Sequence, residues 1–306
     1  MQKIAAAQQV RLLSALVPAY FRAHFAQIPS LSSRASFVLS QTLNADSLST
    51  AQLGEMIRSD PPSAAGLLHL ANSPLYQRNK PINTLEEAIV RVGQKSVYAL
   101  LLSLATRSLF EPSLRSLYAL LPHHWYRLQC HAVVCGFGTA YLAESQQLKV
   151  GDLAFVAGMF HDIGKLGALY CVCGLIVDDQ IDFEVTQASA AQVMEETHVE
   201  MGREMLSNWR LPEPIRSLCD SHHRTLLPTD AQAPLINCMR IISCLDSLRD
   251  SPYTPPGAEQ SLRDSLAALR LEGAGLKEVA KQLQLITDSV KKMLGPPDVP
   301  AGSPTG

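Results

Sequence analysis

"FVAGMFHDIGKLGALY", residues 155–170, decides how this chain is to be read. His161, Asp162 and Lys165 stand in a run that is otherwise almost wholly apolar. A charge taken out of water is costly unless it is paired or bound to metal. An adjacent His–Asp pair offers such compensation, because an Asp can bridge two ions through its two oxygens while the His binds one. Two ions a few ångströms apart activate water and steady both oxygens of a phosphoester displacement. Metal would account for the buried charge, although an adjacent His–Asp is also common by accident, and only the wider series of ligand residues gives the metal reading weight.

Outward from it the helical period dominates, and no alternating strand pattern of any length occurs. "SLSTAQLGEMIRSD" and "PPSAAGLLHLANS" read as helices, the second opened by prolines and closed at Asn72-Ser73-Pro74. In "NTLEEAIVRVG", Thr84 is the N-cap, Glu87 completes a capping box and Gly93 ends the helix. "SVYALLLSLATRSLF" is apolar nearly all round and predicts one central helix. Long helices are expected over about residues 122–144, 152–173 and 234–248, and "RDSPYTPPGAE" marks a boundary. Two amphipathic helices follow, then the tail "GPPDVPAGSPTG", which is too polar and Pro/Gly-rich to fold.

The chain is 47% hydrophobic and 18% charged with a net charge of -2, enough to bury a sizeable core and too little positive charge to advertise nucleic-acid binding. No run approaches the roughly 20 apolar residues of a membrane span, and the N-terminus reads as an amphipathic helix rather than a signal peptide. Seven cysteines without framework spacing imply reduced thiols and a cytoplasmic setting.

Five of the nine histidines, His131, His161, His198, His222 and His223, form with Asp162 and Asp246 a series spread over several helices. Helix bundles build internal metal sites from such inward-pointing side chains. Imidazole and carboxylate together suit iron, manganese, zinc or nickel. Any one of these histidines alone reads first as a hydrogen-bonded structural residue, and His123-His124 is an accidental pair. His124, Leu128, His131 and Cys135 share one helix face, and the apolar members turn that face inward.

The order of the series resembles the HD superfamily of metal-dependent phosphohydrolases, and "FHDIGKL" is close to its central motif. "IPSLSSRASFVLSQTL", "LGEMIRSDPPSAAGLLHLANSPLY", "INTLEEAIVRVG" and "ETHVEMGREMLSNWRLPEPIRSLCDSHH" narrow the resemblance to the HDOD family, the HD-related output domains of bacterial signalling proteins, over about residues 28–247. The resemblance implies an all-α fold, an HD-like helical bundle packed against an N-terminal helical subdomain. It divides the chain into an N-terminal helix at 1–27, the N-terminal subdomain at 28–115, the metal-site subdomain at 116–250, C-terminal helices at 251–294 and a disordered tail at 295–306. It also implies metal ligation by His131, His161, Asp162, His198, His222, His223 and Asp246, around one divalent ion or two, and places Asp162 and Lys165 as catalytic, with Lys165 facing phosphate. Gly202 is implied as a point of close helix packing. Many members of the family have lost ligand positions; this chain retains them all. The GYP stretch of the cyclic-di-GMP-hydrolysing HD relatives is absent from "HHRTLLPTDAQ".

Two functions follow. One is a signalling module with an intact metal centre, binding a protein partner or a nucleotide, with neither membrane nor nucleic acid as partner. The alternative is a phosphohydrolase acting on a nucleotide or cyclic dinucleotide. An open mouth beside Lys165 would favour the second; closure by the apolar segment at 109–122 would favour the first. In the metal-free protein, Asp162 and Asp246 are expected to repel.

Overall fold

Turn chemistry sets most of the helix ends. In this computed structural model, which describes residues 5–43, 49–76, 80–110, 115–224, 230–251 and 253–295, the chain is all-α. The N-terminal part runs through α1 (Ala6–Ala23), α2 (Ser33–Leu43), α3 (Thr50–Arg58), α4 (Pro61–Ala71), α5 (Leu85–Val92), α6 (Gln94–Ala105), α7 (Arg107–Phe110) and α8 (Arg115–Leu120). Ser49 and Gln52 form a capping box on α3, and Asp60 accepts from Ser63 N–H to cap α4. Thr84 Oγ1 accepts from Glu87 N–H at α5, which ends at Gly93 with φ +83°. Asn72 ties the end of α4 to a neighbouring loop: its amide donates to Leu68 O and Ile82 O and accepts from Ile82 N–H. The expected single central helix is two, because the chain leaves the α6 axis at Thr106, the C-cap, before α7.

The remainder comprises α9 (Pro122–Ser145), α10 (Leu153–Phe160), α11 (Ile163–Val177), α12 (Gln187–Asn208), α13 (Glu213–Ser221), α14 (Ala233–Asp250), α15 (Ala258–Ala268) and α16 (Gly273–Leu294). The helix anticipated over 152–173 is likewise broken, at His161 and Asp162, where Asp162 has φ -106° and ψ 16°. From Leu153 to Val177 this broken run is long and apolar enough to cross a membrane, contrary to the reading of the sequence, but 83% of its most apolar window is buried among other helices. The tail lies outside the described residues from 296 onward.

α9 is the hub: α10, α14 and α16 pack on it, while α11 lies along α12 and α1 covers both. Two glycines flanking the His–Asp break allow this. A Cβ on Gly158 would overlap the Cys135 carbonyl oxygen on α9, and one on Gly164 would overlap the His198 carbonyl oxygen and crowd Gly202 N on α12. Close packing at Gly202 is thus real, and Gly164 makes its other side. Six of the seven cysteines are buried and none forms a disulfide, consistent with core filling.

Candidate metal centre

The break between α10 and α11 turns His161 and Asp162 into the space enclosed by α9, α12 and α14. There the structure gathers His131 from α9, His198 from α12, and His222 and His223 from the end of α13. The arrangement centres on Asp162, whose side chain is 8% exposed. Its Oδ1 lies 3.3 Å from His198 Nε2 and 3.2 Å from His222 Nε2. Its Oδ2 lies 3.4 Å from both His131 Nε2 and His161 Nε2. Each carboxylate oxygen therefore faces a different group of ring nitrogens. On the Oδ1 side His198 Nε2 is also 3.2 Å from His222 Nε2 and 3.0 Å from His223 Nε2.

Backbone carbonyls fix the ring orientations. His161 Nδ1 meets Gly158 O at 2.8 Å, His198 Nδ1 meets Glu195 O at 2.8 Å, and His222 Nδ1 meets Cys219 O, each partner three residues earlier. A carbonyl oxygen only accepts, so each of these Nδ1 atoms carries the proton and each Nε2 presents a lone pair. Burial pushes His161 and His198 down to about 4 and holds His222 and His223 below the ordinary histidine range, so these rings are neutral at pH 7. Lone pairs of neutral rings at 3.2 Å repel unless a cation lies between them.

The spacing suits one. Ligand atoms about 2.1 Å from a common ion stand about 3.0 Å apart at right angles and about 3.4 Å apart at the tetrahedral angle. The separations on both sides of Asp162, from 3.0 to 3.4 Å, fall in that interval. Asp162 Oδ2 is buried, and Lys165 Nζ, 2.6 Å away, is its close cationic partner. Histidines whose Nδ1–H is held by a backbone carbonyl while Nε2 faces the site are the pattern by which proteins orient metal-binding rings. The residues present fit a divalent metal.

Two expected site residues take unforeseen positions. Asp246 meets His131 on the far side of the ring, Oδ2 to Nδ1 at 2.7 Å, and lies outside both groups of mutually adjacent ligand atoms found among the described residues. Burial disfavours the charged form of His131, but Cys135, Asp162 and Asp246 outweigh it and raise its pKa well above the ordinary value. Lys165 is pinned between two carboxylates, 2.6 Å from Asp162 Oδ2 and 2.6 Å from Glu195 Oε2. Burial lowers its pKa, and those two charges more than reverse the effect.

Glu195, Ser243, Cys135 and Arg240 were not anticipated as site residues. Glu195 Oε1 reaches to 3.8 Å from His223 Nε2, and Ser243 Oγ is 3.0 Å from His161 Nε2. Arg240 donates to His222 O and Arg224 O, holding the turn that carries the paired histidines. The Glu195-x-x-His198 spacing was the available signal, since i and i+3 share a helix face.

Beside the centre a cavity of about 930 Å3 opens to solvent, and His223, 48% exposed, stands at it. Its outer wall includes Tyr126, Tyr253, Pro255 and Lys291. Of the segment at 109–122, Leu109, Phe110, Leu117 and Leu121 are buried in the core, and among the described residues the chain around 253–258 borders the cavity.

The family model of the HDOD domain matches residues 28–225. A structure from Shewanella amazonensis, provisionally assigned as a metal-dependent phosphohydrolase, superimposes with a TM-score of 0.64 over 93% of this chain and 99% of its own, at 18% identity. An HDOD domain protein of unknown function from Geobacter sulfurreducens does so with a TM-score of 0.61 over 93% and 99%, at 20% identity. At such identities the likeness establishes the fold. An uncharacterised protein of Treponema pallidum (strain Nichols) is 23% identical over 241 residues, 75% of this chain but 44% of that protein, so the chain spans less than half of that relative.

Proposed function

The chain belongs to the HDOD domain family, and from that premise we propose that its buried His/Asp cluster is a binuclear metal centre serving hydrolysis of a phosphoester held in the adjoining cavity. The observation that carries the reading is Asp162, each of whose oxygens faces its own group of ring nitrogens next to an open mouth. In this reading Asp162 Oδ1 acts with His198, His222 and His223, and Oδ2 with His131 and His161. Asp246 orients His131 from the Nδ1 side. Iron, manganese, zinc and nickel suit these donors. Divalent ions held there would activate water and offset phosphoryl charge.

The chain's own residues do the rest. The three Nδ1–carbonyl bonds keep the Nε2 atoms aimed inward, so little reorganisation is needed when substrate arrives. Lys165 Nζ donates to a phosphoryl oxygen once a negatively charged group competes with Glu195 for it. Glu195, more exposed than Asp162, is the carboxylate that yields. The cavity volume accommodates a nucleotide or cyclic dinucleotide within the size range usual for ligand pockets.

A second reading, a signalling module with an intact but silent centre, has one observation in its favour. Lys165 borders the cavity but is already satisfied by two carboxylates. Metal analysis followed by steady-state assay with manganese or iron, against nucleotides, cyclic dinucleotides and simple phosphodiesters, separates the two. Turnover that disappears in His161→Ala and Asp162→Ala supports the hydrolase. Metal bound at full occupancy with no turnover on the panel favours the module.

A further inference from the structure

α9 carries His131 at the centre and, on the same face one and two turns nearer its start, Arg127 and His123. All three border the cavity. At 1.5 Å rise per residue, Arg127 and His123 stand about 6 Å and about 12 Å along the axis from His131. α16 runs back along this helix. Its Leu283 lies against Gly138, and Thr287 and Lys291, one and two turns on, border the same cavity as Arg127. The cavity therefore extends from Asp162 to a second basic wall, made by Arg127 and Lys291 on two different helices. We propose that this wall is a second phosphoryl subsite, so that the ligand of the cavity is a phosphoester carrying a further phosphoryl group one helical turn or more beyond the one at the metal centre. The proposal rests on the phosphoester reading above and narrows its substrate class.

Charge favours it. The whole chain has a net charge of -2, yet this wall is basic. Among the carboxylates bordering the cavity, Asp162 and Glu195 hold Lys165, and Asp246 holds His131. The remaining one, Glu196, accepts from Ser14 Oγ at 2.7 Å and from Gln192 Nε2 at 2.9 Å. Arg127 and Lys291 each already engage another group of the chain. A guanidinium has five N–H donors, and a phosphoryl group takes two of them in parallel, so it joins or displaces that contact.

Size favours it as well. A lone phosphate or a simple monoester would leave most of about 930 Å3 empty, a volume at the upper end for ligand pockets. Tyr126, next to Arg127, and Tyr253, in the loop after α14, give the cavity half-buried rings for the organic part that joins the two phosphoryl groups. The family match ends at residue 225, so Tyr253 and Lys291 lie beyond it and the subsite joins α9 of the matched domain to the chain that follows. No bond is made or broken at this wall. It binds and orients.

The test measures binding to the full-length, metal-loaded protein by titration calorimetry. The ligands are the linear dinucleotide ApA and its 5′-phosphorylated form pApA, with the internucleotide linkage a phosphorothioate so that it survives the titration. They differ only in the second phosphoryl group. Wild type is expected to bind pApA about tenfold tighter, the equivalent of one charge-assisted hydrogen bond. Arg127→Ala and Lys291→Ala are each expected to shrink that ratio, and the double variant to bring it close to one. Equal binding of the two ligands by wild type, or an undiminished ratio in the double variant, overturns the subsite and leaves the centre standing. Failure of both ligands to bind metal-loaded wild type overturns the phosphoester reading and the subsite together. Should Arg127→Ala fail to fold, Lys291→Glu on the exposed end of α16 decides: a ratio kept at the wild-type value removes the subsite, and a ratio below one supports it. Titration with AMP and with adenosine 3′,5′-bisphosphate identifies the source of the second group. The same preference there assigns it to one nucleotide, and its absence, with pApA still preferred, assigns it to a dinucleotide.

Discussion

Two interrupted helices in this molecule solve the same local problem in opposite ways. α5 begins at Thr84, whose hydroxyl accepts from Glu87 N–H, and ends at Gly93 with positive φ. Each residue does the job its type does best. α11 begins at Asp162, an equally good capping type, yet the Asp162 side chain makes no cap hydrogen bond. Its oxygens are spent on four histidine rings and Lys165. A capping residue that forgoes its cap, in a segment with no other polar relief, is held there by something other than helix energetics. The comparison is sharpened or broken by substitutions at the two ends.

The largest effect is expected for Asp162→Ala. Metal content should collapse, because both groups of ring nitrogens lose their shared oxygen donor. The metal-free protein should also be destabilised, by about 3–5 kcal/mol, the usual result of removing one partner of a buried ion pair. The expectation from sequence, relief of repulsion against Asp246, is reversed: Asp246 is engaged with His131, and it is Lys165 that loses a counter-charge. Chemical denaturation of stripped protein measures this, and a metal-free Asp162→Ala at least as stable as wild type would refute it.

Acid comes next. His161 and His198 titrate near 4 in the folded protein against about 6.5 when unfolded, and His222 and His223 are shifted the same way. Between those values the unfolded chain binds more protons, so stability falls as pH drops through the window from about 6.5 to about 4. His131, shifted upward, has the opposite sign: its contribution is present below about 6.5 and is lost as pH rises through its folded value. The change in His131 falls above that window, so the four depressed rings give a metal-free melting temperature that declines steadily from about pH 6.5 to about 4. A flat profile there would mean that the rings are not buried neutral. At α5 nothing of the kind is expected.

Gly164→Ala tests the packing that brings α12 to the break. Its methyl group would meet the His198 backbone, which cannot yield as a side-chain tip can. A loss of about 1–3 kcal/mol is expected from overpacking, with weakened metal binding as His198 moves. Metal affinity equal to wild type would detach the centre from this contact.

How far the centre could be read from sequence follows from what each residue answers to. His131, His161, Asp162, His198, His222 and His223 were legible because their order along the chain resembles that of a family, and the fold does bring them together. The helix ends at Ser49, Asp60 and Gly93 were legible because capping is local. The break at His161 and Asp162 was not, since the apolar period runs straight through it and only tertiary contacts oppose it. Glu195 stayed hidden because it looks like any helix-surface glutamate until Lys165 is placed opposite it. Asp246 was identified as a member of the site, but which side of the His131 ring it takes is a matter of helix rotation that no spacing encodes.

The smallest effect belongs to Thr84→Ala, and it gives the comparison its control. The substitution removes one hydroxyl acceptor from Glu87 N–H at an exposed helix start. Loss of such a cap costs about 1 kcal/mol. The whole cost should appear as helix stability, equal in stripped and metal-loaded protein, because α5 contributes no residue to the cavity wall or to the groups around Asp162. At Asp162 the corresponding loss should be larger and should depend strongly on metal. Comparing the two variants with and without metal separates a polar residue that serves its own helix from one that serves a site. If Thr84→Ala lowered metal affinity as Asp162→Ala does, the N-terminal helices would be coupled to the centre through their packing, and the contrast between the two helix starts would fail.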